Sequence, residues 1–243
     1  MTDAHYHRDG YATFLTVGGR EFRFYGVHPW EAARAGRAPY QGGECAADAS
    51  ARRPYQDGEF AAELRAALEA DAHAGVGEIG LDRLKNRVID PAQRAVFAAQ
   101  LEVAAEFHRP VVLHGAKCWG EVVAACRPYA GRIPAFLFHG FSRSAGLLPQ
   151  IYAMNGFVSI GPALLNDHAV NYRAMAAGLP LERILVETDA EWDDVASHEA
   201  QIRAIVDRLA RLRDVPVDSL ADSMSANLAR FLGPSSPKLQ NAK

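Results

Sequence analysis

Several things are scarce or missing in this sequence, and each absence narrows what the chain can be. Cysteine is rare: Cys45, Cys118 and Cys126 are the only three, and none forms a Cys-x-x-Cys pair. An odd, scattered set does not build a disulfide framework, which points to a reducing compartment. No uninterrupted apolar run approaches the roughly 20 residues of a membrane span. The opening Met-Thr-Asp-Ala-His-Tyr-His is polar and lacks the apolar stretch of a signal peptide. The expected location is therefore the cytoplasm, with no membrane partner. Positive charge is not in excess either: 26 Lys and Arg face 29 Asp and Glu, for a formal net charge of -3. That excludes a broad basic surface dedicated to polyanions. It does not exclude an anionic substrate, because bound metal ions supply positive charge locally. There is no internal repeat of 20–50 residues and no low-complexity segment.

What is present is a long alternation of short apolar segments with amphipathic ones. The 243 residues are 49% hydrophobic, enough for one sizeable core. Strands are expected at 76–81, 110–114, 134–140, 156–161 and 184–189. Helices are expected from Asp90-Pro91 onward, then at 119–129, 144–154, 168–177, 198–213 and 218–232. Asp90 is a good N-cap and Pro91 suits the first helical position. Such alternation implies a parallel sheet buried on both faces with right-handed crossovers. The reading is an α/β, TIM-like (β/α) barrel spanning residues 1–232, with a flexible tail at 233–243. A barrel typically needs about 250 residues, so the length is tight.

The first 30 residues break this alternation. Segments 2–7, 11–17 and 21–27 all read as strands with no helix between them, and Gly18-Gly19 suits an antiparallel hairpin. Seven upward strands are therefore expected, with an extended segment replacing one βα unit. Residues 31–58 form a long irregular stretch expected over the C-terminal face, where barrel active sites lie. Arg34, Arg37, Tyr40, Arg52, Arg53 and Tyr55 are candidate substrate contacts there, though for any one of them a solvated loop residue is the commoner outcome.

Six metal-ligand types end strands. His5 and His7 are two apart, so alternation turns both to one face and Tyr6 to the other. Glu78 lies in Gly77-Glu-Ile-Gly-Leu-Asp82, His114 ends Pro110-Val-Val-Leu-His114, His139 precedes Gly140, and Asp189 ends Glu187-Thr-Asp189. In a parallel barrel all these ends meet at one mouth. A single histidine at a strand end is usually a hydrogen-bonded core or surface residue. Four of nine histidines and two carboxylates converging from five strands would make a costly buried polar cluster unless metal holds them together. By contrast Asp82, His73, His108, His168 and His198 read as off the mouth or on helices, with structural or solvated roles.

These motifs resemble the TatD-like metal-dependent hydrolases, relatives of the amidohydrolase and phosphotriesterase barrels. The matching segments are Asp3-Ala-His-Tyr-His7, Gly26-Val-His-Pro29, Gly77 to Asp82, Gln93 through Gln100-Leu101, Pro110 to His114, His139-Gly-Phe-Ser142, Gly156-Phe-Val-Ser-Ile-Gly161, Glu187-Thr-Asp-Ala190 and Asn227-Leu-Ala-Arg-Phe231. They run in family order over nearly the whole chain. The resemblance implies two divalent ions, one on His5, His7 and Asp189, the other on His114 and His139, with Glu78 bridging. Mixed imidazole and carboxylate donors suit Zn²⁺, Mn²⁺ or Fe²⁺, and Mg²⁺ is common in assays of the family. Two such ions, two carboxylates and a bridging hydroxide leave a charge of about +1, which favours an anionic substrate such as a phosphodiester. A 3′-exonuclease acting on single-stranded DNA ends is the leading expectation, with Asp189 also accepting the proton of the bridging hydroxide.

Glu187 shares the inward face with Asp189 and is a candidate to orient a ligand imidazole, or to sit in a core ion pair. His28, Lys117 and Arg143 are candidate substrate contacts. Three departures from the family bear on substrate rather than on metal: the missing first helix, Trp30 where the family often has a second histidine after His28-Pro29, and Ala116 where it often has an arginine. The alternative is an amide or carboxyl-ester hydrolase acting on a small molecule or on aminoacyl-tRNA. Related amidohydrolases often bridge their ions with a carboxylated lysine, whereas here Glu78 holds that place. A non-catalytic barrel is the third reading. Oligomeric state is not legible in the sequence.

Overall fold

A computed structural model of the chain describes residues 2–8, 12–17, 20–32, 59–84, 87–142, 144–190 and 195–233. Arg143, the arginines and tyrosines of the 33–58 stretch, and all of the expected tail except Gly233 lie outside the described residues. Eight strands form one sheet in sequence order: β1 (Asp3–Arg8), β2 (Ala12–Val17), β3 (Arg20–Tyr25), β4 (Gly75–Asp82), β5 (Val111–Ala116), β6 (Phe136–Phe138), β7 (Gly156–Ile160) and β8 (Ile184–Val186). β2 runs antiparallel to both β1 and β3, and every later pairing is parallel. Seven strands thus point one way, and the hairpin expected from the Gly-Gly link is present as the β2–β3 pair. The sheet closes on itself beyond β8. The His7 amide donates to the Ala190 carbonyl at 2.9 Å, and the Asp189 amide donates to the His5 carbonyl at 3.0 Å. The result is a nearly closed α/β barrel of the TIM type.

Among the described residues the α-helices are α1 (Pro29–Ala32), α2 (Glu59–Ala70), α3 (Pro91–Glu106), α4 (Trp119–Cys126), α5 (Leu148–Ala153), α6 (Val170–Gly178), α7 (Val195–Arg213) and α8 (Val217–Leu232). Asp90 caps α3 as expected, its side chain accepting from the Ala92 amide, with proline in the first turn. Two expected helices are shorter than their sequence windows. Segment 144–154 begins as a 3₁₀ turn, Ala145–Leu147, and becomes α-helical only where Pro149 sits in the first turn. Segment 119–129 ends as a 3₁₀ turn at Arg127–Tyr129, where Pro128 falls. Among the described residues no helix is long and apolar enough to cross a membrane.

Alternation along the strands sorts side chains into two cores. Val111, Leu113, Phe136, Phe138, Val158, Ile160, Ile184 and Val186 face the helices. Val112, Leu137, Phe157 and Leu185 face the barrel interior, packed with Phe24, Leu228 and Phe231. Phe231 stacks on Phe24 and meets Phe157 edge-on, both with ring centroids 6.0 Å apart. Phe24 pairs with Gly75, the first residue of β4, so the end of α8 plugs the N-terminal side of the barrel. Two residues beyond each interior apolar position comes a polar one: His114, His139, Ser159 and Glu187. The period of 2 therefore places an apolar floor beneath a polar mouth.

Asn227 fastens the plug. Its amide nitrogen donates to the carbonyls of Leu181 and Ile184, both at 2.7 Å, and the residue is 2% exposed. Replacing it with alanine strands buried carbonyls. The expected loss is roughly 2–3 kcal/mol of unfolding free energy, read from the urea midpoint at unchanged slope.

Candidate metal centre

The six residues expected as ligands come together around the carboxylate of one of them, Glu78, which lies within β4 and is 4% exposed. Its Oε1 lies 2.5 Å from His139 Nε2 and 2.6 Å from His114 Nδ1. Its Oε2 lies 3.4 Å from His5 Nε2 and 3.5 Å from His7 Nε2. Asp189 Oδ1 faces the same two imidazoles, at 3.3 Å from His5 and 3.5 Å from His7. Each oxygen of one buried carboxylate is thus flanked by its own pair of imidazole nitrogens. His28 stands beside the Oε1 pair, its Nε2 3.4 Å from His114 Nδ1 and 3.7 Å from Glu78 Oε1. His5 and His7 share a face as alternation requires, while the Tyr6 hydroxyl turns the other way to Glu21 and Thr16.

Local backbone features make this convergence sterically possible. A Cβ on Gly80 would fall 2.0 Å from the His114 carbonyl oxygen, so only glycine lets β4 approach β5 at the level of the site. Asp189 has a positive φ of 51°. Non-glycine residues in that region are strained and held by their surroundings; here the Asp189 amide bond to His5 fixes the turn.

Four buried residues hold the surrounding segments in place. Asp3 accepts from the His5 and Thr188 amides at 3.1 and 3.2 Å and from the Thr188 hydroxyl at 2.7 Å, tying β1 to the segment after β8. His198 on α7 pairs with the same carboxylate at 2.7 Å, which gives it a structural role. Gln93 and Gln100, seven apart on the buried face of α3, reach into two mouth loops. Gln93 Oε1 accepts from the Asp82 amide at 3.0 Å, and Gln100 clasps both backbone groups of Val27.

One expectation is corrected. Asp82 is not off the mouth: β4 continues through it, and its Oδ2 accepts from His114 Nε2 at 2.8 Å. Glu78 and Asp82 are four apart, so strand alternation already put them on one face; the signal was present in the sequence. Glu187 is buried, but its Oε1 accepts from the Gly140 amide at 2.7 Å rather than from an imidazole. It fixes the turn that follows His139. Lys117 is exposed at the end of β5, with its carbonyl held by Arg83 at 3.1 and 2.6 Å. His73, His108 and His168 are exposed, away from the cluster.

The donor set fits divalent metal. His5 Nδ1, His7 Nδ1 and His139 Nδ1 are buried without a hydrogen-bond partner among the described residues, and unpaired buried polar atoms are costly. Three overlapping triads bring ligand atoms within 4.8 Å of one another: His5, His139 and Asp189; His5, His7 and Glu78; and His28, Glu78 and His114.

The electrostatics of the metal-free cluster follow from the same contacts. Burial would lower His5, but Asp189 and Glu78 hold it well above its usual 6.5. Burial likewise opposes charge on His114, but Glu78 and Asp82 raise it from 6.5 to about 9. Glu78, which burial would raise, is held well below 4.5 by His139 and His114. Burial drives His28 down from 6.5 to about 3. The raised His114 stabilises the fold below pH 6.5, and that contribution is lost as pH climbs to about 9. The depressed His28 works in the opposite sense, destabilising as pH falls from 6.5 towards 3. Glu78 adds a further loss as pH falls below its unfolded value near 4.5. The metal-free protein is therefore expected to be most stable near pH 6.5. Thermal melts in EDTA test this, and a melting temperature rising steadily from pH 6.5 to 9 would contradict it.

Comparison with known proteins gives the family and the fold. The model of the TatD related DNase family matches residues 4–233. The 3'-5' ssDNA/RNA exonuclease TatD of Edwardsiella piscicida is 32% identical over 131 residues, covering 54% of this chain and 50% of that protein. The uncharacterized metal-dependent hydrolase YabD of Bacillus subtilis is 22% identical over 172 residues, 67% of this chain and 68% of that one. The crystal structure of the TatD homologue YJJV of Escherichia coli K12 superposes with a TM-score of 0.65 at 24% identity, covering 86% of this chain and 76% of that chain; at that identity the likeness speaks for the fold. The chain spans about half the length of the curated exonucleases it matches. With a family match over nearly its whole length, and the strand-end cluster in place, the chain belongs to the TatD related DNase family.

Proposed function

We propose that this chain is a hydrolase that binds two divalent metal ions and cleaves phosphodiester bonds at the ends of single-stranded nucleic acid. The observation that carries this reading is the division of imidazoles over the two oxygens of Glu78. His5, His7 and Asp189 would hold one ion and His114 and His139 the other, with Glu78 shared between them. Mixed nitrogen and oxygen donors suit Zn²⁺, Mn²⁺ or Fe²⁺, with Mg²⁺ a further candidate. When bound there, such ions acidify water and polarise a phosphoryl oxygen. The exonuclease activity named for the TatD relatives supports the phosphodiester class.

The protein's own groups do the rest. Burial would raise Asp189, but the hydrogen bonds from His5 and His7 keep it ionised across the neutral range. Its side chain is also 45% exposed at the mouth, so it is placed to accept a proton from attacking water. His28 is a substrate contact in this reading. The Trp30 amide donates to its Nδ1 at 3.2 Å, so the proton of the neutral ring sits on Nε2. That nitrogen points into the cluster as a donor suited to a phosphate oxygen, not as a metal ligand. Lys117 and Arg143 are further candidate contacts, and Glu187 supports His139 through the Gly140 amide.

The direct test is digestion of 3′-end-labelled single-stranded DNA in Mn²⁺, beside an EDTA control. Glu78→Ala should reduce the rate by at least about 100-fold, because it dismantles both halves of the centre. No digestion by protein shown to hold two ions would move the assignment to small phosphoesters or amides. Asp189→Asn separates binding from chemistry: full turnover with both ions retained would remove Asp189 from the role of base. His28→Ala should leave metal content unchanged while weakening substrate binding; a loss of one ion would make His28 a ligand.

A further inference from the structure

His5, His7 and His139 all present Nε2 to Glu78, and their Nδ1 atoms have no hydrogen-bond partner among the described residues. His114 is reversed. It presents Nδ1 to Glu78 Oε1 at 2.6 Å, while its Nε2 donates to Asp82 Oδ2 at 2.8 Å on the opposite edge of the ring. Asp82 is itself rigidly held. Its Oδ1 accepts from the Leu84 amide at 2.6 Å, its own amide donates to Gln93, and the residue is 3% exposed. The Trp30 indole, 6.4 Å from the His114 ring between centroids, lies on the same side of the cluster.

We propose that Asp82 is the positioning residue that sets which nitrogen of His114 faces the metal centre. In the neutral ring that metal binding requires, Asp82 fixes the tautomer by accepting the Nε2 proton, and the Nδ1 lone pair is left pointing inward. The carboxylate also makes His114 a stronger donor than an unsupported imidazole, as outer-shell carboxylates do. The consequence is asymmetric. The ion on His114 and His139 depends on Asp82, whereas the ion on His5, His7 and Asp189 does not. Gln93 extends the chain of support from α3, through the Asp82 backbone, to the imidazole.

This rests on the metal-binding reading above, and the test is built so that the two fail separately. Zn²⁺ is titrated into metal-free protein against a competing chelator, and the ring nitrogens of His114 are followed by long-range ¹H–¹⁵N spectra of histidine-labelled protein. Wild-type protein should bind two ions and show the proton of His114 on Nε2. Asp82→Ala should weaken one ion by on the order of 10- to 100-fold, leave the other unchanged, and release the tautomer of His114. Asp82→Asn, which keeps an acceptor oxygen but not the charge, should retain the tautomer with an intermediate loss of affinity. It carries the test if the alanine variant does not fold. A purely structural Asp82 would lower the melting temperature yet leave both zinc affinities and the His114 nitrogen shifts as in wild type, and that result overturns the proposal. Wild-type protein that binds no zinc overturns both this proposal and the metal-binding reading. Two tight ions indifferent to Asp82 overturn this one alone.

Discussion

Much of this molecule depends on one carboxylate placed where a carboxylate should not be stable. Glu78 is buried, and burial by itself favours its neutral form. It stays charged because four imidazoles surround it, two on each oxygen. Without metal, that arrangement requires protons on some of the rings, which is why His5 and His114 are pushed upward. Metal and proton therefore compete for the same lone pairs, and loading the site must release protons at neutral pH. The pH behaviour of the cluster and its capacity for metal are two readings of one charge balance.

The barrel serves this balance by dividing labour along each strand. Interior apolar residues such as Val112 and Leu137 form a floor closed from below by Phe231. The next inward position, two residues on, carries the polar group. Precision at the mouth then comes from outside the strands. Gln93 and Gln100 reach in from α3, Asp3 ties both ends of the barrel seam, and Glu187 fixes the turn after His139. None of these touches the Glu78 carboxylate, yet each restrains a segment that carries one of the cluster's residues.

The sequence makes the inward histidines legible because His5 and His7 alternate about Tyr6 and because strand ends in a parallel barrel share one face. The same rule applied four residues beyond Glu78 points to Asp82. Its role is not legible because the apolar pattern ends at Leu81, one residue before the strand does, and because His114 reaches it with its outer nitrogen. A sequence gives the position of a histidine but not which of its two nitrogens is used. Gln93 and Gln100 were visible only as family-like motif residues. Two glutamines seven apart on a buried helical face are unusual enough to read as hydrogen-bonding devices, although their partners, Asp82 and Val27, lie on segments that sequence alone does not bring together. Helix limits near Pro128 and Pro149 shifted because each proline removes a donor from its own turn, converting part of the expected α-helix to 3₁₀.

The unusual start of the chain is instructive about what a barrel unit is for. A βα unit contributes a strand end to the mouth and a helix to the outer layer. Between β1 and β3 the helix is replaced by β2, which runs downward and brings none of the cluster's residues to the mouth. β1 and β3 nevertheless both run upward, so His5, His7 and the His28 that follows β3 still arrive at the same rim. Closure does not need the missing helix either, because the seam is made by backbone bonds from His7 and Asp189 and by the Asp3 carboxylate. The tolerance has a physical cause: the site is fixed by strand direction and by the seam, and both survive the exchange of a helix for a strand.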